Sequence, residues 1–415
     1  MTQDPNAPSL PRVVIVGGGV AGLEAALGLH HLAAGRAQVT MVAPTPEFIY
    51  KPLVINEPFS LQPAERHELE PALAELGFEF LLDALATAYP AAHEIELGSG
   101  SRLGYDYLIV AMGGRAVPAY HRAETFWAAR GDLPVDELLA DAVAQEGRKL
   151  TFAVPPGCSW PLPLYELALM THSRSRERGP YGVELQIVTP EPAPLAIFGQ
   201  TASSAVGALL HARGIRVLAS STLSEEPDGY RLKPSGEAVA PGPIVALPAI
   251  TGPAVPGLPQ DGDGFTPIDA NAQVKGIPDV YAAGDGTSFP IKQGGIATQQ
   301  ADAAVEHVAA RLGAPVEPAP FKPVLRGQLI TGPDSLNLSH RLTGGHGEGQ
   351  ASPDYLWWPP GKIAGRYLTP WLSGTSPVES LEPPGHPLDV EVALPQEWHG
   401  EPMAMSSHPA PPAST

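Results

Sequence analysis

Three glycines carry the first chemistry in the sequence. Gly17, Gly19 and Gly22 stand at G-x-G-x-x-G spacing inside VVIVGGGVAGLEAALGLHHL, Val13 to Leu32. In such a turn the first glycine lets the chain leave a strand sharply. The second lets the backbone approach a pyrophosphate, and the third lets a helix pack on the strand. The helix N-terminus then offers free N–H groups and a partial positive charge to phosphates. Two other stretches hold reactive side chains. PPGCSWPLPLYE contains the one thiol, Cys158, and the carboxyl Glu166. VYAAGD ends at Gly284 and Asp285, and Lys292 follows just before a helical segment.

The elements that position these groups follow from the pattern. Val13 to Val16 is a β-branched run, as a buried strand requires. Its context, between strand and helix, is the one in which the glycine motif predicts dinucleotide binding. Gln38 to Val42 predicts the second strand. An acidic residue after it would hold a ribose hydroxyl, and here Thr45 or Glu47 stands near that place. Helical spacing is expected from Ala64 to Leu76, short strands from Phe78 to Leu103, and a buried strand over Tyr105 to Ala111. A second α/β unit is expected from Lys149. It has a strand to Val154, a helix from about Pro161 to Pro163 through Met170, a strand Glu184 to Val188, a helix Ser203 to His211 and a strand Ile215 to Leu218. Hairpins are expected over Tyr230 to Leu247. Val280 to Asp285 reads as a strand, and a helix from about Ile296 to Leu312 aims its N-terminus at a ligand.

Composition bounds the function. The chain has 415 residues, 43% of them hydrophobic, enough for two or three domains. A net charge of −19 excludes nucleic acid as a partner and disfavours unaided docking on anionic lipid. A single cysteine allows no internal disulfide and no redox-active cysteine pair. The apolar run Val13 to Leu29 is interrupted by Glu24 and lacks a basic leader, so it does not read as a signal sequence. The expected location is the cytoplasm. The histidines lack metal-ligand spacing, and no metal is expected. Trp357-Trp358 reads as core aromatics, the other reading being an acceptor pocket or a membrane interface. From about Ser376 the proline-rich tail is expected to be disordered.

GGGVAGLEAA, YDYLIVAMGG, VYAAGD and KQGGIATQQADAA occur in that order. With them the chain resembles the FAD-dependent pyridine nucleotide–disulfide oxidoreductase superfamily, most nearly sulfide:quinone reductases and type II NADH dehydrogenases. The resemblance implies an α/β fold of two Rossmann-like dinucleotide-binding domains plus a short C-terminal segment. The expected boundaries are an FAD domain over 10–118 and 249–315, an inserted NAD(P)-type domain over 119–248, a C-terminal interface segment over 316–375 and the tail over 376–415. FAD would be held by Gly17, Gly19, Val20, Ala21, Gly22, Lys51, Ala111, Gly113, Gly284, Asp285, Gly295 and Ile296. Asp285 would bond the ribityl chain. The helix after Gly295, with Lys292, would favour the anionic reduced flavin.

The second unit departs from the NAD(P)H-binding members. Where they carry another G-x-G-x-x-G, this chain has only Gly157 among prolines, which remove N–H donors. Sulfide:quinone reductases place a cysteine near Cys158 but use a further cysteine, which is absent. Glu166 aligns with a glutamate that type II NADH dehydrogenases place near flavin and quinone. The catalytic set implied is therefore Glu166, Cys158 and Lys292, with Glu166 favoured as a proton relay. The expected function is electron transfer from a small-molecule donor through FAD to a quinone-like acceptor. An NAD(P)H dehydrogenase and a flavin-binding partner or sensor without turnover are the other readings. Peripheral contact with the cytoplasmic membrane and a homodimer remain open.

Overall fold

In the computed structural model the described residues are 10–126, 134–144, 147–178, 183–332, 334–342 and 349–382. The chain opens as β-strand Arg12–Val16, which enters helix α1 (Val20–Ala33) through the glycine turn. This strand lies at the centre of a five-stranded parallel sheet. The order is Val280–Ala282, Tyr107–Val110, Arg12–Val16, Gln38–Ala43, Glu79–Leu82. Val13 to Val16 are buried because both faces of the sheet are covered, the usual condition of parallel strands. The strand from residue 280 pairs with the one from residue 107, so distant parts of the chain complete this unit.

The expected helix from Ala64 is shorter. Arg66–Glu68 pairs antiparallel with Glu47–Ile49, and only Leu69–Glu75 forms α2. Backbone pairing with a strand already in place overrides the helical spacing of the side chains. Lys51–Phe59, between them, is a 3-10 segment.

The second unit is another parallel sheet, ordered Glu124–Thr125, Ile244–Ala246, Lys149–Ala153, Glu184–Val188, Arg216–Leu218. Helices α3 (Pro134–Ala144), α4 (Leu162–Arg178) and α5 (Gly199–Ala212) accompany it. The hairpin differs from expectation. It pairs Thr222–Glu226 with Gly229–Lys233 through the Pro227-Asp228 turn. Ile244–Ala246, an apolar run, is buried throughout and joins the parallel sheet beside Lys149–Ala153.

Helix α6 (Gly294–Arg311) packs along α1 behind the first sheet. A three-stranded antiparallel sheet follows, Val324–Ile330, Ser335–Arg341 and Gln350–Ser352, its first strand against α4. Short α7 (Leu368–Leu372) docks on α1. Both Glu24 oxygens accept from its first turn, at 3.1 Å from the Tyr367 N–H and 2.6 Å from the Leu368 N–H. The expected disorder from Ser376 does not hold as far as Glu382. Leu381 is buried beside Trp357, its carbonyl accepts from the Trp358 N–H, and Glu382 pairs with Arg341 at 2.7 Å. The rest of that expectation concerns residues 383–415, outside the described ones. Among the described residues no helix is long and apolar enough to cross a membrane.

Candidate functional site

A cavity of about 600 Å³ lies at the carboxyl ends of the first sheet, the place where open α/β sheets bind ligands. Its volume falls in the range of cofactor pockets. The glycine turn builds one end. Gly17 has φ +113°, and a Cβ there would stand 2.3 Å from the Ala111 carbonyl oxygen. A Cβ on Gly22 would stand 1.8 Å from the Gly17 oxygen, so Gly22 sets the strand–helix approach. Gly22 does not line the cavity. A Cβ on Gly19 would meet nothing within 4 Å, because it faces the cavity. Val20 and Ala21 line the cavity beside it, and no side chain caps the N-terminus of α1. The free N–H groups and the open approach fit a pyrophosphate.

Thr45 and Glu47 both line the adjoining wall. Asp83, at the end of the neighbouring strand, joins them. It was not read from the sequence, because only the parallel register of strands 38–43 and 79–82 brings it there.

Further along, Ala111, Gly113, Gly284 and Asp285 line the cavity. Gly113 and Gly284 have φ +71° and +86°, which side chains rarely adopt. Among the described residues no hydrogen-bond donor meets the Asp285 carboxylate, which lies in the cavity wall. Burial raises its pKa, and Lys292 and Lys51 oppose this. A carboxylate left without protein donors fits a ligand rich in hydroxyls, such as a ribityl chain. Lys51 lines the same wall.

Lys292 also faces the cavity, and burial lowers its pKa to about 8. Its ammonium donates to the Thr287 and Phe289 carbonyls and lies 3.6 Å from the Phe265 ring centre. At the start of α6 the cavity is met by Gln293, Gly294 and Ala297. Gly295 and Ile296 do not line it. The vacant Cβ position of Gly295 faces the Gln293 side chain, and Ile296 is buried with its N–H bonded to Gln293 Oε1 at 2.8 Å. The helix N-terminus is where the sequence put it, but these two residues are its support rather than its surface.

The remaining wall comes from α4 and the C-terminal segment. Glu166 is fully buried and lines the cavity. Its Oε1 accepts from the Ile330 N–H at 2.8 Å, and its Oε2 meets Lys362 Nζ at 2.7 Å. Lys362 Nζ also donates to the Pro52 carbonyl at 3.1 Å. Burial raises the Glu166 pKa, and the Lys362 charge opposes it. Lys362, too, lines the cavity. No local pattern in the sequence marks it, because its partner is 196 positions away.

Cys158, expected in the catalytic set, is half-buried and does not line the cavity. Burial pushes its thiol up to about 11, so the thiol stays protonated. The turn Pro155–Cys158 closes on itself and instead puts Trp160 into the cavity wall. Trp357 is core, its indole N–H bonded to the Gly361 carbonyl at 3.0 Å, while Trp358 is exposed. Among the described residues no group of side chains could hold a metal ion.

Residues 11–134 match the family profile described as pyridine nucleotide-disulphide oxidoreductase. The chain is similar to the sulfide-quinone reductase of Aquifex aeolicus, 29% identical over 188 residues, which are 44% of this chain and 43% of that protein. It is also similar to an alternative NAD(P)H-ubiquinone oxidoreductase of Arabidopsis thaliana, 28% identical over 347 residues, 71% of this chain and 65% of the relative. The matches thus span less than two thirds of these relatives. In fold it is similar to the solved sulfide:quinone oxidoreductase of Aquifex aeolicus, with a TM-score of 0.73 at 22% identity, covering 82% of this chain and 86% of that one. The glycine turn, the aspartate at residue 285 and the helix end at residue 294 agree with these likenesses, so the chain is similar to pyridine nucleotide-disulphide oxidoreductases, over residues 11–134 by the family profile, and to quinone reductases among its relatives.

Proposed function

We propose that the protein is an FAD-dependent oxidoreductase that passes electrons from a small donor to a quinone-like acceptor. The observation that carries this reading is the buried Glu166–Lys362 pair in the wall of the cofactor cavity. Quinone reduction takes up two electrons and two protons, and a carboxyl in the cavity wall can deliver a proton to the acceptor. FAD, when bound, supplies the two-electron store. Gly17 to Ala21 and the N-terminus of α1 hold its pyrophosphate, and Asp285 receives its ribityl hydroxyls. The α6 N-terminus and Lys292 place positive potential where negative charge collects on reduction. Burial raises the Glu166 pKa, and the Lys362 charge 2.7 Å away opposes that rise. The carboxyl is the group in the wall placed to take up a proton and pass it on.

The names of the two curated relatives, both quinone reductases, support the acceptor class. For the donor, the protonated, lone Cys158 outside the cavity argues against a sulfur-carrying cysteine pair. Peripheral contact with a quinone-bearing membrane is part of the proposal, through the exposed Tyr355 and Trp358. Tyr355 accepts from Gln328, itself a cavity residue, at 3.1 Å. The test is direct. The purified holoprotein, with one FAD per chain, is reduced anaerobically and mixed with a soluble ubiquinone analogue. Rapid reoxidation is expected. A reduced protein that quinone leaves unoxidised overturns the reading in favour of flavin binding without turnover.

A further inference from the structure

Trp160 is the residue the proposed chemistry leaves unused. It follows the strand Lys149–Ala153 of the second unit and lines the cofactor cavity. The turn that carries it is tied across to the first unit, where Ser159 Oγ accepts from the Lys292 N–H at 3.1 Å. The indole is wedged from behind. Its ring centre lies 5.7 Å from that of Phe198, and a Cβ on Gly327 would stand 3.2 Å from its Cη2. Leu162 and Pro163 continue the same wall.

This is also where a ligand of the second unit would enter, since open α/β sheets bind at the carboxyl ends of their strands. A dinucleotide there needs backbone N–H groups at the turn and at the start of the following helix. Pro155, Pro156, Pro161 and Pro163 supply none. Glu191, just after the strand Glu184–Val188, is in the region where an acidic residue would take a ribose hydroxyl. Its carboxylate instead accepts from Tyr165 at 2.8 Å and Thr189 at 2.9 Å.

We propose that Trp160 is a specificity residue, whose wedged indole fills the second-unit side of the cavity and excludes a dihydronicotinamide ring from the flavin. The inference rests on the flavin reading above. It restricts the electron donor to molecules that need neither a stacked ring nor a dinucleotide cradle.

The test separates the ring from the dinucleotide. 1-Benzyl-1,4-dihydronicotinamide delivers a hydride from its ring and needs no phosphate site. The ring becomes the pyridinium, and the flavin gains two electrons and one proton as that hydride. In anaerobic mixing, Trp160→Ala and Trp160→Leu holoproteins are expected to be reduced at least about tenfold faster than the wild type, because the ring gains an aligned approach. Equal rates in wild type and both variants overturn the proposal. The second readout is flavin emission, which an adjacent indole quenches by electron transfer. Trp160→Phe is expected to raise the intensity and lengthen the lifetime, and unchanged emission contradicts the placement of the indole. Failure of the flavin reading shows differently, as wild type that retains no FAD or is not reoxidised by quinone.

Discussion

Single residues divide into those that shape the cofactor turn and those that face the cofactor, and substitution separates them. Gly19→Val is expected to leave the fold intact and abolish FAD retention, because its side chain enters open cavity. Gly22→Ala is expected to cost about 1–3 kcal/mol or more of stability, because its methyl meets the Gly17 backbone. Thermal unfolding and the ratio of flavin to protein absorbance check both. Equal FAD occupancy in Gly19→Val and the wild type would contradict the turn's role. Asp285→Ala is expected to weaken FAD binding by about 1.5–3 kcal/mol, the worth of charge-assisted hydrogen bonds, measured by titrating the apoprotein. These groups were legible in the sequence because a tight turn imposes its demands locally. Cys158 was not: its type suggested chemistry, and only its burial shows the thiol held protonated. It should react slowly with iodoacetamide at pH 8, and faster once the protein is unfolded.

Elements bring together what the sequence separates. Glu166 comes from α4 and Lys362 from the segment before α7. Lys362→Met leaves a buried carboxyl without its counter-charge and is expected to cost about 3–5 kcal/mol. Glu166→Gln combined with Lys362→Met should recover much of that loss, since no charge then remains to be buried. Denaturant midpoints of the two proteins measure this, and equal midpoints would mean the pair is not coupled. The carboxyl was legible, but its partner was not, because no periodicity encodes a contact across 196 positions. The same limit accounts for the α2 boundary and the hairpin. In both, strand pairing with a distant segment decided between locally acceptable conformations.

At the scale of the whole molecule, helices far apart in the sequence meet in one layer. α1, α6 and the α7 segment close around Glu24 and Asp302, whose buried carboxyls lie near each other and near Arg366, Glu306 and Tyr367. Burial raises the pKa of both Glu24 and Asp302, and the nearness of Glu24 raises Asp302 further. Groups raised in the fold stabilise it below the ordinary carboxyl pKa, and that contribution is lost as pH rises through the raised values. Wild type is therefore expected to lose stability relative to Asp302→Asn as pH climbs above the ordinary carboxyl range. A pH series of melting temperatures checks this, and parallel curves would contradict it. The sequence showed Glu24 only as an interruption of an apolar run, since its role needs α6 and α7 in place. The two parallel sheets, by contrast, were readable from apolar runs spaced by helices. The chemistry proposed for the site turns on proton delivery from Glu166 to a quinone reduced by the bound flavin. Anaerobically reduced wild type and Glu166→Gln, each carrying full FAD, are mixed with a soluble quinone while flavin absorbance is followed. Reoxidation is expected to be at least about tenfold slower in Glu166→Gln, as for loss of a proton-transfer group. Equal reoxidation rates in the two proteins would contradict it.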